Sequence, residues 1–196
     1  MNLPNKLTVS RFLLTGAFLA VIYSSFKYHE TVALVLFSAG GVTDFLDGKI
    51  ARERKLITNF GILMDPLADK ILTCTAFISF VEMRLMPAWM VVVIVSRELA
   101  ITGLRLLAAS KNVVLAAEGY GKHKTISQIV AIIALLVLIS YGQWGHWGEL
   151  AFGWPLWGKP WVARFAELAK WAAVFLTVLS GCLYLWRNRQ LYLQDM

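Results

Sequence analysis

The sequence has few charged residues. Only 16% of its 196 residues are Asp, Glu, Lys or Arg, while 58% are hydrophobic and the mean hydropathy is +0.63. Soluble domains carry about 25% charged residues, so this composition excludes an ordinary water-soluble domain and favours an integral membrane protein. Acidic residues are scarcer than basic ones, 12 against 19. The basic residues lie at the ends of apolar runs and form no nucleic-acid-binding stripe, so anionic lipid headgroups or phosphate-bearing substrates are the expected partners.

Cysteine is nearly absent. Cys74 and Cys182 lie in apolar runs without the spacing of metal ligands or of a disulfide framework, so both are predicted to be buried thiols. Residues 1–10 lack the charged start, short apolar core and cleavage site of a signal peptide, and the first apolar run is therefore expected to remain as a span. No internal repeat or low-complexity linker divides the chain, which predicts one membrane-embedded domain over residues 1–196.

Six apolar stretches approach the roughly 20 residues that a spanning helix needs. They predict an all-α integral membrane protein with six transmembrane helices. The stretches are 11–26, 31–51, 63–82, 87–109, 125–141 and 168–187. Between the last two, residues 142–167 are apolar but interrupted by Gly and Pro, and five of the eight tryptophans lie there. That composition is typical of an interfacial loop in an aromatic belt.

The distribution of lysine and arginine predicts the orientation. With six spans, twelve of these residues fall on one side and five on the other, and Arg97 and Arg105 remain inside the fourth helix. The positive-inside rule then places both termini in the cytoplasm. The charged residues of the second, third and fourth stretches are consequently expected near the cytoplasmic face of the cell membrane.

Four aspartates stand in the segment 43–70, "TDFLDGKIARERKLITNFGILMDPLADK", which otherwise resembles membrane-spanning sequence. Asp44 and Asp47 share one helix face, and Asp65 and Asp69, at i and i+4, share a face of the next helix. Such a cluster would repel itself unless protons or cations compensate it. Four carboxylates without nearby His or Cys favour a hard divalent cation, Mg²⁺, Mn²⁺ or Ca²⁺, over zinc.

The neighbours of these aspartates suit a bulky anionic ligand. Gly48, Ala51 and Gly61 leave space, and Arg52 and Thr58 offer donors for phosphate. The competing interpretation is that the aspartates only form ion pairs at a membrane boundary. Its candidate partners are Lys49, Arg52, Arg54 and Lys70. Four ionisable residues in this arrangement favour a functional site over that interpretation.

The motif "DFLDGKIAR", followed eight residues later by "GILMDPLAD", resembles the signature of the CDP-alcohol phosphotransferase family. That signature is D, two residues, DG, two residues, AR, eight or nine residues, G, three residues, D, three residues, D, and every fixed position is matched. The resemblance implies a six-helix membrane enzyme, usually a homodimer. It further implies transfer of a phosphatidyl or related group from a CDP-linked donor to an alcohol, with release of CMP.

The same resemblance assigns roles to individual residues. It makes Asp44, Asp47, Asp65 and Asp69 the ligands of a two-metal site for Mg²⁺ or Mn²⁺, and Asp69 also the general base. To the CDP-diacylglycerol donor it assigns Gly48, Arg52 and Thr58. The segment "NLPNKLTVSR" at 2–11 resembles the family branch that uses glycerol 3-phosphate, which adds Asn5 and Thr8 near the nucleotide.

Four basic residues are candidates for binding a phosphorylated acceptor. Arg97 and Arg105 lie about 80° apart on the fourth helix, and Lys122 and Lys124 stand where the fifth begins. The segments that contain them, "SRELAITGLR" and "GKHKT", resemble the same branch, whose acceptor is glycerol 3-phosphate. Two alternatives stay open, namely ordinary positive-inside boundary residues and, for Arg97, a structural pair with Glu98.

Other functions are compatible with parts of this pattern. One alternative is an enzyme of the same family with another acceptor alcohol, which would make cardiolipin, phosphatidylserine or a phosphatidylinositol phosphate. A divalent-cation transporter would also place carboxylates in facing helices. A transporter needs access from both faces, however, and residues 31–42 and 71–81 carry no Asp, Glu, Lys or Arg. The sequence therefore favours a phospholipid-synthesising transferase over a transporter.

Overall fold

The computed structural model of the protein describes the backbone of residues 3–54, 59–110 and 120–189, and the side chains of residues 9–42, 70–109 and 123–189. Within these ranges six helices of 20 to 27 residues and one short helix form a bundle. In chain order they are α1 (Leu3–Ile22), α2 (His29–Arg54), α3 (Asn59–Glu82), α4 (Ala88–Ser110), α5 (Tyr120–Ser140), α6 (Gly145–Phe152) and α7 (Trp161–Arg187).

The six predicted helices are present, but the prediction of a loop over 142–167 is wrong. A 3₁₀ turn at Tyr141–Trp144 leads into α6, and two short strands, β1 (Pro155–Leu156) and β2 (Lys159–Pro160), form an antiparallel hairpin. Its two central residues have positive φ, 49° at Trp157 and 78° at Gly158, as a type I′ turn requires. Helix α7 consequently starts at Trp161, seven residues earlier than predicted.

Backbone and indole hydrogen bonds explain why this segment is ordered. The Trp161 amide donates to the carbonyl of Trp154 at 2.8 Å, and its indole Nε1 donates to the carbonyl of Ala151 at 2.8 Å. Trp147, Trp154 and Trp157 project outward, with exposed fractions of 77%, 70% and 85%. Their exposure fits the aromatic-belt interpretation, which stays a prediction.

The helices pack around a core of large apolar side chains. Helices α5 and α7 share the most extensive interface, α1 packs on α2 and α3, and α4 packs on α3 and α7. Phe18, Phe77, Ile94 and Leu135 are almost completely buried in this core. Several buried hydroxyls bond within their own helices, as where Ser140 donates to the carbonyl of Leu136 at 2.7 Å, so these hydroxyls are satisfied without water.

The outer surface of the bundle is apolar too. Val35, Val92, Leu168 and Phe175 are each 60–68% exposed, which suits contact with lipid chains. Two stretches among the described residues, His123–Phe152 and Trp161–Arg187, are long and apolar enough to cross a membrane, with mean hydropathies of 2.1 and 1.7.

The prediction for the cysteines was half wrong. Cys74 is partly buried, but Cys182 is exposed on α7. The exposed side of that helix is as apolar as its packed side, so hydrophobic neighbours in the sequence did not indicate burial.

Polar contacts join the first turn of α2, at the end far from its aspartates, to the 3₁₀ turn at Tyr141–Trp144. Gln143 donates to Glu30 at 2.7 Å, Thr31 donates to Gln143 at 3.0 Å, and the Trp144 indole donates to Thr31 at 2.9 Å. These bonds fix the start of α2 against the 3₁₀ turn that follows α5. The ionisable residues that the sequence singles out lie elsewhere, in the second half of α2, the first half of α3, the middle and second half of α4 and the start of α5.

Candidate active site

The four aspartates of the motif lie in two helices that adjoin in sequence. Asp44 and Asp47 belong to the last three turns of α2, and Asp65 and Asp69 to the first three turns of α3. Both pairs are therefore in helical backbone near the connection between α2 and α3, as predicted. Their side chains lie outside the described residues.

Several other predicted site residues have no described side chain. Asn5 and Thr8 lie in α1, Gly48 and Arg52 in α2, and Lys122 in α5, while Thr58 lies outside the described backbone. Their assignment to CDP-diacylglycerol, and that of Lys122 to the acceptor, stays a prediction. The side chains of three predicted acceptor residues, Arg97, Arg105 and Lys124, are described.

The chemistry of the donor set fits a magnesium or manganese site. Asp44, Asp47, Asp65 and Asp69 supply only carboxylate oxygens, the ligands that hard divalent cations prefer. Among the side chains that the structure describes, no group of three or more His, Cys, Asp or Glu could hold a metal. The fit of these aspartates thus rests on residue type and helix position.

A buried carboxylate forms the centre of the described part of the site. Glu98 of α4 is only 3% exposed. It accepts from Lys70 of α3 at 2.5 Å, pairs with Arg97 at 3.4 Å, and accepts a hydrogen bond from Lys124 of α5. Gln128, also of α5, donates to Glu98 at 3.4 Å and to Thr177 of α7 at 3.0 Å. Helices α3, α4, α5 and α7 are thereby joined at one point.

The charges of this group do not cancel. Lys70, Arg97 and Lys124 supply three cations and Glu98 one carboxylate, which leaves two positive charges. Lys124 is itself 97% buried, and an uncompensated buried charge costs several kcal/mol. Glu98 offsets part of that cost and leaves the group attractive to an anion.

The side chain of Arg97, a residue of α4, contacts α7. Its Nη2 donates to Ser180 at 3.2 Å while its Nη1 faces Glu98, and its Nε is buried without a partner among the described residues. A Cβ built at Gly181 would stand 2.9 Å from Cγ of Arg97. Glycine at position 181 is therefore what lets the Arg97 side chain pass along α7.

Arg105 makes a separate contact with α7. Its Nε donates to the hydroxyl of Tyr184 at 3.3 Å, and its guanidinium lies 5.6 Å from the centre of that ring. Of the four predicted acceptor residues, the structure thus joins Arg97 and Lys124 through Glu98 and places Arg105 beside Tyr184. The alternative interpretation of Arg97 as a partner of Glu98 describes a contact that is present.

Sequence reasoning missed the wider role of Glu98 and Lys70. In the sequence, Glu98 stands out only as the neighbour that could pair with Arg97, and Lys70 only as a candidate ion-pair partner of the aspartates at a membrane boundary. A carboxylate in the middle of an apolar helix was the available signal, because such residues are costly unless paired or functional. The partners themselves, 26 and 28 residues away along the chain, could not be identified without the packing of the helices.

Comparison with known proteins decides the family. The model of the CDP-alcohol phosphatidyltransferase family matches residues 1–155. The chain belongs to this family. It is 42% identical over 199 residues, with 95% of both chains covered, to a protein of Bacillus subtilis named CDP-diacylglycerol–glycerol-3-phosphate 3-phosphatidyltransferase.

Further proteins resemble the chain over nearly its whole length. A probable phosphatidylglycerophosphate synthase of Mycobacterium tuberculosis is 36% identical, covering 95% of this chain and 81% of its own. A protein of Haemophilus influenzae, named like the Bacillus one, is 33% identical, covering 98% and 92%. The similarity to these proteins extends into α7, beyond the residues that the family model matches.

Proposed function

We propose that the protein is a phosphatidylglycerophosphate synthase. It transfers the phosphatidyl group of CDP-diacylglycerol to glycerol 3-phosphate and releases CMP, a step of phospholipid biosynthesis. The observation that supports this acceptor best is the cationic group around Glu98, which keeps two positive charges close to the helix that carries Asp65 and Asp69. A phosphate that carries nearly two negative charges at neutral pH complements that group.

The transfer follows from the chemistry of these side chains. The acceptor hydroxyl oxygen bonds to the phosphorus that carries diacylglycerol, the bond from that phosphorus to the oxygen bridging to CMP breaks, and CMP leaves with the electron pair. Asp69 takes the hydroxyl proton. The divalent cations, when bound, neutralise charge on the pyrophosphate. Arg52 and Thr58 hold the CDP part, and Arg97, Arg105, Lys122 and Lys124 hold the phosphate of the acceptor.

We further propose that the six long helices cross the cell membrane, that both termini are cytoplasmic, and that the enzyme is a homodimer. The excess of basic residues on the side of the aspartates supports this orientation. A site at the cytoplasmic interface suits a donor with lipid tails and a soluble acceptor, because the tails stay in the bilayer while glycerol 3-phosphate enters from water. It also requires access from only one side, unlike a transporter.

The test is CMP release from CDP-diacylglycerol by the purified protein in detergent. Glycerol 3-phosphate, glycerol, serine, inositol phosphate and phosphatidylglycerol are compared as acceptors, the last as the acceptor of a cardiolipin synthase. We expect rapid release only with glycerol 3-phosphate and a product with the mass of phosphatidylglycerophosphate. Faster release with another acceptor would replace the proposed function with another activity of the same family.

Replacing Arg97 or Arg105 with alanine is expected to lower kcat/KM for glycerol 3-phosphate by about 10–100-fold. A hydrogen bond to a charged group contributes roughly 1.5–3 kcal/mol, and the KM for CDP-diacylglycerol should change little. Lysine at either position should restore part of the loss, since a point charge cannot reproduce the paired donors of a guanidinium. Initial rates with each substrate varied in turn measure both effects.

The structural alternative for Arg97 predicts a different pattern. If Arg97 serves only to pair with Glu98, Arg97→Ala lowers the unfolding temperature and weakens donor and acceptor use alike. Arg164→Ala is the matched control, because Arg164 is exposed and bonds to the carbonyl of Trp157 in the hairpin. Unchanged glycerol 3-phosphate kinetics in both Arg97→Ala and Arg105→Ala would remove these residues from the acceptor site.

A further inference from the structure

We infer that Glu98 is a positioning residue of the acceptor site and that Lys70 is a further phosphate-binding cation of that site. Glu98 touches no substrate in this assignment. It acts by holding Lys70, Arg97 and Lys124 in one arrangement. The inference rests on the proposed function, since it concerns where the phosphate of glycerol 3-phosphate binds.

The first observation is the convergence of cations from different helices. Lys70 comes from α3, Arg97 from α4 and Lys124 from α5, and all three contact the same carboxylate. Without a carboxylate among them, three cations this close would repel one another and move apart. Glu98 therefore sets their separation, and one carboxylate leaves two of their three charges uncompensated. The remaining charge matches a phosphate dianion.

The second observation is how firmly the carboxylate is held. Glu98 is almost fully buried, and Gln128 links it to Thr177 of α7. A cavity of about 40 Å³ lies beside Glu98, Lys70, Lys124 and Gln128, which is space for about one water molecule. Glu98 and Lys124 are thus held within the protein before an acceptor arrives, while the Lys70 side chain is 35% exposed and accessible to an acceptor.

The third observation connects the cations around Glu98 to the proposed base, Asp69. Lys70 directly follows Asp69, so their Cα atoms are about 3.8 Å apart. The contact of Lys70 with Glu98 therefore links the part of α3 that carries Asp69 to α4. An acceptor whose phosphate binds these cations is held at a set distance from the proposed base. A misplacement of about 1 Å can cost roughly 10²-fold in rate.

The test compares Glu98→Gln, Lys124→Met and the double variant with the wild type. Initial rates of CMP release are measured with glycerol 3-phosphate and CDP-diacylglycerol varied in turn. We expect Glu98→Gln to lower kcat/KM for glycerol 3-phosphate by about 10–100-fold and to change the KM for CDP-diacylglycerol less than about threefold. Because Glu98 acts in part through Lys124, the loss in the double variant should be smaller than the product of the two single losses.

Lys70→Met tests the proposed role of Lys70 in binding the phosphate. It should lower kcat/KM for glycerol 3-phosphate and change the KM for CDP-diacylglycerol little. The matched control for Glu98→Gln is Glu167→Gln, since Glu167 also pairs with a lysine, Lys170 at 2.7 Å, but is exposed and near the start of α7. That control should leave both substrates unaffected. Equal losses for donor and acceptor in Glu98→Gln, or full additivity in the double variant, would show that Glu98 only stabilises the fold.

A second measurement needs no turnover. Glycerol 3-phosphate alone should raise the unfolding temperature of the wild type in detergent, and this shift should be lost in Glu98→Gln and Lys70→Met but kept in Glu167→Gln. Absence of the shift in the wild type, or its retention in Glu98→Gln, would overturn the inference. If the wild type shows the shift yet releases no CMP with glycerol 3-phosphate, the proposed function fails while the binding site stands.

Discussion

Asp69→Asn is expected to lower kcat by more than the roughly 10²–10⁴-fold that loss of a general base alone causes. The proposed role of Asp69 is double, because its carboxylate takes the proton of the acceptor hydroxyl and also binds a metal ion. Asparagine keeps the size of the side chain but can neither accept that proton at neutral pH nor supply the negative charge. The measurement is the rate of CMP release at saturating CDP-diacylglycerol and glycerol 3-phosphate, with excess Mg²⁺.

Glu82→Gln is the matched control for Asp69→Asn. Glu82 is exposed at the last residue of the same helix, α3, so its change from carboxylate to amide should leave turnover intact. Equal unfolding temperatures of the two variants and the wild type would show that the loss is chemical. Near-normal turnover of Asp69→Asn would contradict the assignment of this residue as base.

Removal of divalent cations is expected to abolish turnover. The proposed site gathers four carboxylates, and without cations their mutual repulsion and the charge of the pyrophosphate are uncompensated. An excess of chelator should reduce CMP release to background, and added Mg²⁺ or Mn²⁺ should restore it. Asp44→Asn and Asp65→Asn should each raise the metal concentration that gives half-maximal activity, and should weaken binding of CDP-diacylglycerol together with it.

A measurement without turnover separates metal binding from catalysis. Mg²⁺ or Mn²⁺ should raise the unfolding temperature of the wild type and of Glu82→Gln, and less so that of Asp44→Asn and Asp65→Asn. Full activity in excess chelator would exclude the two-metal site. It would leave the family membership untouched, since that rests on a family model matching residues 1–155 and on sequence similarity over 95% of the chain.

The helices and the catalytic motif could be predicted because their determinants are local. Apolar stretches near 20 residues long mark the six helices, and the motif residues from Asp44 to Asp69 adjoin in sequence, on either side of one short connection. Helical periodicity then fixes which aspartates share a face. The positions of the helix ends were predicted less accurately than the helices themselves. The start of α7 at Trp161 is an example, because the hairpin before it depends on hydrogen bonds that the composition of the segment does not reveal.

The sequence by itself determined the family signature, the helical class and which residues are candidates for the reaction. Only the tertiary structure decided which polar side chains meet. In a bundle whose outer side is as apolar as its interior, hydrophobicity does not indicate how each helix is rotated. Cys182 was therefore wrongly predicted to be buried. For the same reason, the meeting of Lys70, Arg97 and Lys124 at Glu98 follows from the rotation and height of α3, α4 and α5, which only their packing determines.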